Sequence, residues 1–163
     1  MAIKDYEFWF VVGTQFLYGE DIFETINSHA SEMCEEWSKK MPCAIKAVPC
    51  VKTSSEILDV MRKANSDEKC AGVITWMHTF SPSKAWIAGF SELKKPFLHV
   101  NTQYNRDIPW NEIDMDFMNL NQSAHGDREH GYITARMRLK RKVIAGYWKD
   151  EAFQKKMEVW MRA

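Results

Sequence analysis

The chain has 163 residues, which is the size of one domain and is long enough to bury a hydrophobic core. Its 22 basic and 22 acidic residues cancel, so charge favours neither nucleic acid nor an anionic membrane as a partner. The apolar runs are too short for a membrane-spanning helix, and the first residues do not resemble a signal peptide. The four cysteines lack the C-x-x-C spacing of a zinc site, so we expect reduced thiols in a cytoplasmic protein.

The first third of the chain predicts a strand, a helix and a second strand. Phe8–Val12 is a continuous apolar run ending at Gly13, which is typical of a strand buried on both faces. Ala44–Pro49 is predicted to be the second strand. Between them, apolar residues recur at helical spacing: Ile22, Ile26, Ala30, Met33 and Trp37.

The same alternation continues to the end of the chain. Thr53–Glu56 forms a capping box that predicts a helix start, and Ser81 followed by Pro82 predicts another, with Ser81 as N-cap. The further predicted elements are strands at Ala71–Trp76, Phe97–Val100 and Val143–Tyr147, and helices at His125–Lys140 and from Asp150 onward.

Five strands, each followed by a helix, predict one α/β domain over residues 1–163. The expected architecture is a doubly wound, parallel, five-stranded sheet in a three-layer sandwich, either flavodoxin-like or Rossmann-like. Trp160 and Met161 stand near the last residue of the chain. They are consistent with a domain cut from a longer chain or with a docked terminal helix.

In such a sheet, ligands bind at the carboxyl ends of the strands. Three loops are predicted there: Gly13–Gly19, Met77–Ser81 and Asn101–Asn105. The first is neither a dinucleotide fingerprint nor a P-loop, which disfavours a nucleotide site. His78, in the second loop, is predicted to be a hydrogen-bonded structural residue. The polar and aromatic side chains that the loops contribute are Gln15, His78, Thr79, Phe80, Asn101, Gln103 and Asn105.

The run from Asp114 to Gly131 combines amide, hydroxyl, imidazole, carboxylate and guanidinium groups. Such a mixture suits a polyol, whose hydroxyls both donate and accept hydrogen bonds, but it also suits a helix start rich in capping side chains. His125 and Glu129 would share a helix face while His130 points elsewhere, which favours salt bridges over a metal site. The apolar residues expected to anchor this run against the core are Met115, Phe117, Met118 and Leu120.

Four motifs resemble the N-terminal part of the L-arabinose isomerase family: Tyr6–Gly19, Trp76–Pro82, Asn101–Trp110 and the run NLNQSAHGDRE that begins at Asn119. The resemblance covers part of such an enzyme, without its central and C-terminal domains. It implies aldose–ketose interconversion of L-arabinose and L-ribulose by a manganese-dependent hexamer. The metal ligands and acid–base glutamates would lie in the later domains, so the resemblance implies no catalytic residue and no bound manganese in this chain.

The resemblance also implies five residues that contact the sugar in a neighbouring subunit's site: Gln15, Leu17, Phe80, Gln122 and His125. The amides and the imidazole would bind hydroxyls, and Leu17 and Phe80 would cover the C–H face of the sugar. Phe16 and Asn101 stand where the family often has histidine, a difference that bears on the choice between L-arabinose and D-galactose. A stand-alone sugar-binding or interaction module is the alternative function, and a flavin or nucleotide binder is a third.

Overall fold

The computed structural model describes residues 2–163, so Met1 of the predicted domain lies outside the described residues. Five parallel strands form one sheet in the order β2-β1-β3-β4-β5, which is the flavodoxin-like order. The strands are β1 (Glu7–Gly13), β2 (Ala44–Val51), β3 (Cys70–Trp76), β4 (Phe97–Asn101) and β5 (Lys142–Ala145). The α-helices are α1 (Glu20–Ser38), α2 (Ser54–Ser66), α3 (Ile87–Glu92), α4 (Met115–Leu120), α5 (Ser123–Arg136) and α6 (Glu151–Arg162).

Apolar side chains fill the space on both sides of the sheet, as the continuous apolar strands predict. One cluster joins α1 and α6 to the sheet and includes Phe10, Trp37 and Met157. The other joins α2 and α3 to the opposite face and includes Val11 and Ile57. The predicted three-layer α/β fold is therefore confirmed.

Two predicted boundaries near the end of the chain are wrong. The fifth strand was expected at Val143–Tyr147, but it ends at Ala145, before Gly146 at a φ of 140°. It pairs with β4 alone, so it is an edge strand and Val143 is 46% exposed. The helix expected at His125–Lys140 begins two residues earlier and ends at Arg136, because Arg138 adopts a positive φ of 54°.

The two predicted helix starts have different outcomes. At Thr53 the capping box is present: the hydroxyl accepts from the Glu56 amide at 3.2 Å, and the Glu56 carboxylate accepts from the Thr53 amide at 3.1 Å. Ser81 is not an N-cap, because a short 3-10 helix at Ser83–Trp86 precedes α3. Its hydroxyl instead accepts a hydrogen bond from the Trp86 indole at 3.0 Å.

The last helix is docked against the core. Met161 is buried, and the Trp160 ring lies 5.0 Å from the Phe8 ring, measured between centroids.

All four cysteines are free and buried, and burial raises the pKa of Cys34 to about 12 and that of Cys70 to about 11. Among residues 2–163, no helix has the length and apolar character needed to cross a membrane.

Candidate functional site

The loops that follow β1 and β3 are held together at the carboxyl edge of the sheet. The buried hydroxyl of Thr79 donates to that of Thr14 at 2.7 Å. Gly13 permits this approach, because a Cβ atom there would lie only 2.7 Å from the Ser81 hydroxyl oxygen. These two strands flank the topological switch point, where flavodoxin-like sheets bind ligands.

Leu17 lies on a short 3-10 turn, Phe16–Tyr18, in the first of these loops, and Gln15 directly precedes this turn as its N-cap residue. The Gln15 amide donates to the Tyr18 hydroxyl at 3.2 Å, which fixes the side chain within the turn. Leu17 is 85% exposed and Phe16 is 61% exposed. Leu17 is therefore available for contact with another molecule, as a sugar-covering residue requires.

Phe80, Gln122 and His125 are brought together by the packing of α5 on the loop after β3. The rings of Phe80 and His125 stack with centroids 4.6 Å apart and planes at 14°. The backbone amide of Gln122 donates to the carbonyl of His78 at 3.2 Å. The structure thus groups three of the five predicted residues, whereas Gln15 and Leu17 occupy the separate turn.

A groove of about 650 Å³ opens beside this group. Gln122 and His125 form part of its wall, and the long connection between β4 and α4 supplies Gln103 and Asn105. His125 is exposed. The groove offers amides and an imidazole beside apolar side chains, which is the composition of a site for a polar organic ligand.

The inward face of α5 carries a buried polar network. Nε2 of His99 lies 2.6 Å from Oδ1 of Asp127, whose other oxygen accepts from the Ser123 hydroxyl at 3.0 Å. The Thr75 hydroxyl lies 3.0 Å from Nδ1 of His99 and 3.3 Å from Nε2 of His130. Burial lowers the pKa of His130 well below its ordinary value, and the neighbouring His99 lowers it further.

This network corrects the interpretation of the run from Asp114 to Gly131 as a single polyol-binding surface. Ser123, Asp127 and His130 are four and three residues apart, so they share one helix face and turn toward the sheet. Gln122 and His125 occupy the outer side. The helical spacing is a signal in the sequence from which this division could have been predicted.

The apolar anchor predicted for the same run is wrong in its main part. None of the residues of α4 is buried, and Met115 and Met118 are 66% and 50% exposed. The helix begins with the Asp114 carboxylate accepting from the Phe117 amide at 2.8 Å, so capping explains some of the polar residues. The run is fixed to the sheet by the buried face of α5 instead.

A second polar group, which the sequence did not indicate, surrounds His78. Nε2 of His78 lies 2.7 Å from Nδ1 of His29 in α1, and the His29 ring stacks on Tyr104 with centroids 3.5 Å apart. Burial, with a further contribution from His29, lowers the pKa of His78 to about 3. Burial and the hydrogen bond from its hydroxyl to Glu32 raise the pKa of Tyr104 to about 12. His78 is hydrogen-bonded inside the protein, as predicted. Its partner, His29, is 49 residues away in the sequence and could not be predicted from local pattern.

The residues present do not fit a metal centre. Across residues 2–163, no three His, Cys, Asp or Glu side chains converge on a point where a metal ion could be held. The manganese implied by the family resemblance has no ligand set among these residues, and we assign no step within this chain to it.

The fold and this edge define a class of protein: a flavodoxin-like α/β domain that presents amide, imidazole and aromatic side chains at the switch point of its sheet. Comparison with known proteins identifies the family. The chain belongs to the L-arabinose isomerase N-terminal domain family, whose model matches residues 2–163.

Individual relatives agree with this assignment. The chain is 58% identical over 162 residues to the L-arabinose isomerase of Bacillus subtilis (strain 168) and 56% identical over 162 residues to that of Thermotoga maritima. It is 53% identical over 166 residues to that of Geobacillus kaustophilus. These comparisons cover 98% or 99% of this chain but 33% of each relative, so the chain spans about a third of the length of these curated relatives.

Proposed function

We propose that this chain is the N-terminal domain of an L-arabinose isomerase and that it supplies sugar contacts, while other parts of the enzyme supply the reacting groups. The observation that carries the proposal is the grouping of Phe80, Gln122 and His125 at the carboxyl edge of the sheet. It is supported by the family assignment over nearly the whole chain.

The chemistry of these side chains suits L-arabinose and L-ribulose. The Gln122 amide both donates and accepts, and His125 can do either through its ring nitrogens, so both match sugar hydroxyls. Phe80 offers an aromatic face for the C–H side of the sugar. Gln15 and Leu17 would complete the set from the neighbouring turn.

Exposed apolar side chains at the same edge support a role in assembly. Trp110 is 77% exposed, and it follows β4 at the end of the sheet from which Leu17 also projects. Met115 and Met118 are exposed as well, and Met118 lines the groove beside Gln122 and His125. A concentration of exposed apolar groups marks a contact surface, and we propose that it meets a neighbouring subunit of a hexamer whose active site this domain completes.

Moving hydrogen between adjacent sugar carbons needs an acid–base pair and a polarised carbonyl. In the whole enzyme, a divalent metal such as manganese would supply the polarisation and would be bound by residues outside 2–163. The isolated chain would then be inactive.

The proposal is tested in a chimera in which this chain replaces the matching third of the Bacillus subtilis relative. His125→Ala and Gln122→Leu should each raise KM for L-arabinose about tenfold, since each removes a hydrogen bond to the sugar worth about 1.4 kcal/mol. Arg128→Ala, at an exposed position of the same helix, is the control and should leave KM unchanged. An unchanged KM in both site variants would refute the proposal.

The groove of about 650 Å³ favours a second candidate, a stand-alone sugar-binding module, because its wall is formed by this chain. Calorimetric titration of the purified chain with L-arabinose tests it. Binding by the chain, from a gene with a stop codon after Ala163, would favour the module; a long downstream reading frame would favour the enzyme.

A further inference from the structure

The hydrogen bond between His29 and His78 joins α1 to the loop that carries Phe80. It is 2.7 Å long and links Nδ1 of His29 to Nε2 of His78. His78 is completely buried and stacks on Trp76 with ring centroids 4.2 Å apart. Its other nitrogen, Nδ1, is also buried and has no hydrogen-bond partner among the described residues.

This unpartnered nitrogen determines where the protons lie. One of the two facing nitrogens must donate and the other must accept. If His29 donated, neutral His78 would carry its proton on Nδ1, as a buried N–H without an acceptor. Unpaired buried N–H groups are rarer in proteins than unpaired acceptors. His78 therefore donates from Nε2, and His29 accepts at Nδ1.

The backbone of His78 is in direct contact with the candidate site. The His78 carbonyl accepts from the Gln122 amide at 3.2 Å. A Cβ atom on Gly126 would lie 2.9 Å from Cβ of Met77, which shows how closely α5 approaches this loop. The His78 carbonyl thus lies at the contact between the loop of Phe80 and the start of α5.

We propose that His29 is a positioning residue for the sugar site: by accepting a hydrogen bond from Nε2–H of His78, it fixes the His78 ring and thereby the positions of Phe80 and Gln122. The catalytic consequence rests on the proposed function. The proton arrangement does not, because it follows from contacts within this chain.

The charged and titratable groups around the pair come from three elements. Glu32 lies one helical turn after His29 in α1, Tyr104 covers the His29 ring from the segment after β4, and Lys149 pairs with Glu32 from the segment after β5 at 3.3 Å. Burial lowers the pKa of His29, and the nearby Glu32 opposes that shift. Protonated His29 carries a hydrogen on Nδ1 and no longer accepts, so acid should loosen the site.

The first test is spectroscopic and uses the purified chain. Long-range ¹⁵N–¹H spectra distinguish protonated from bare imidazole nitrogens. We expect His78 to show a protonated Nε2 and a bare Nδ1 at neutral pH, and His29 to show a bare Nδ1. A His78 ring protonated at Nδ1 would overturn the proposal, whatever the function of the domain.

The second test uses two substitutions of His29 in the chimera. His29→Asn keeps an acceptor near the position of Nδ1 but cannot titrate, whereas His29→Ala removes the acceptor. We expect His29→Ala to raise KM for L-arabinose about tenfold with a smaller change in kcat, and His29→Asn to stay within about twofold of wild type. As the pH falls toward the pKa of His29, KM should rise in wild type but not in His29→Asn. Equal KM values for all three proteins would contradict the proposal.

The failures of the two proposals are distinguishable. If His125→Ala and Gln122→Leu raise KM but His29→Ala does not, the positioning role is wrong and the sugar site stands. If none of them changes KM, the proposed function fails as well. Should His29→Ala not fold, wild type and His29→Asn still provide the pH comparison and the spectroscopic test.

Discussion

Asp127 and His99 form a buried pair, with 2.6 Å between Oδ1 of the carboxylate and Nε2 of the imidazole. The pair connects α5 to β4, and Ser123 and Thr75 extend it by one hydrogen bond at each end. It lies under the helix turn from which Gln122 and His125 project. The outer, exposed side chains of α5 are thus held in position by a polar network on its inner side.

Removing the carboxylate should therefore destabilise the domain. Asp127→Ala leaves the Ser123 hydroxyl and the His99 N–H buried without an acceptor, and breaking such a pair costs about 3 kcal/mol. Urea unfolding of the purified chain measures the loss. Arg128→Ala, at the next, exposed position, should change the free energy of unfolding by less than about 0.5 kcal/mol. A loss below about 1 kcal/mol for Asp127→Ala would contradict this role.

The two glycines of α5 give a matched pair of substitutions. Gly126→Ala would bring its Cβ atom within 2.9 Å of Met77 and should destabilise the domain by about 1–2 kcal/mol. Gly131→Ala meets nothing within 4 Å and should stabilise it by up to about 1 kcal/mol, because alanine favours the helix. Thermal unfolding of both variants tests whether the two changes in stability have opposite signs. Equal changes in stability would show that α5 does not approach the loop after β3 as described.

The stacking of Phe80 on His125 predicts an energetic coupling between them. In a double-mutant cycle with Phe80→Ala and His125→Ala, we expect a coupling of about 0.5–1 kcal/mol in the free energy of unfolding. A coupling indistinguishable from zero would mean that the two rings do not stack in solution. Gln122→Ala paired with Phe80→Ala offers a control cycle without ring stacking.

The buried histidines predict a stability that falls with acid. In the native state the pKa of His78 lies at about 3, below its ordinary value of 6.5, because burial disfavours the charged ring. Between these values the unfolded chain binds more protons than the native one, so stability decreases as the pH falls. The slope approaches about 1.4 kcal/mol per pH unit for one such histidine.

Unfolding free energies at pH 7, 6.5, 6 and 5.5 measure this slope, in a range where most carboxylates stay ionised. His78→Gln removes the titrating group and should make the curve shallower, while His125→Ala, at an exposed position, should leave it unchanged. A stability that is constant between pH 7 and pH 5.5 would contradict the burial of neutral His78.

Much of the sheet was predictable, because Phe8–Val12 and Ala71–Trp76 are short, largely apolar runs, and both fall within observed strands. The exposed edge position of β5 was not predictable, since it depends on which strands pair rather than on local pattern. The same limit applies to His99 with Asp127 and to His29 with His78. The two residues of the first pair are 28 positions apart in the sequence, and those of the second are 49 apart. Only the packing of α5 and α1 on the sheet brings them together.

Part of the candidate site could be predicted from the sequence. Motifs in the sequence indicate Phe80, Gln122 and His125, and the structure groups these three residues at one edge of the sheet. The division of the α5 residues between a face toward solvent and a face toward the sheet follows from helical periodicity. The exposure of Met115 and Met118 could not be inferred, because the apolar character of a residue does not reveal whether it lies in the core or at the surface.

The proposed division of labour, in which this chain supplies sugar contacts and other parts of an enzyme supply the reacting groups, is tested most directly by turnover. Ketose formation from L-arabinose in the presence of manganese is measured for the purified 163-residue chain and, in parallel, for the chimera with the Bacillus subtilis relative. We predict L-ribulose from the chimera and none from the chain alone. Ketose formed by the chain alone would contradict the account, because the reacting groups would then lie within these residues.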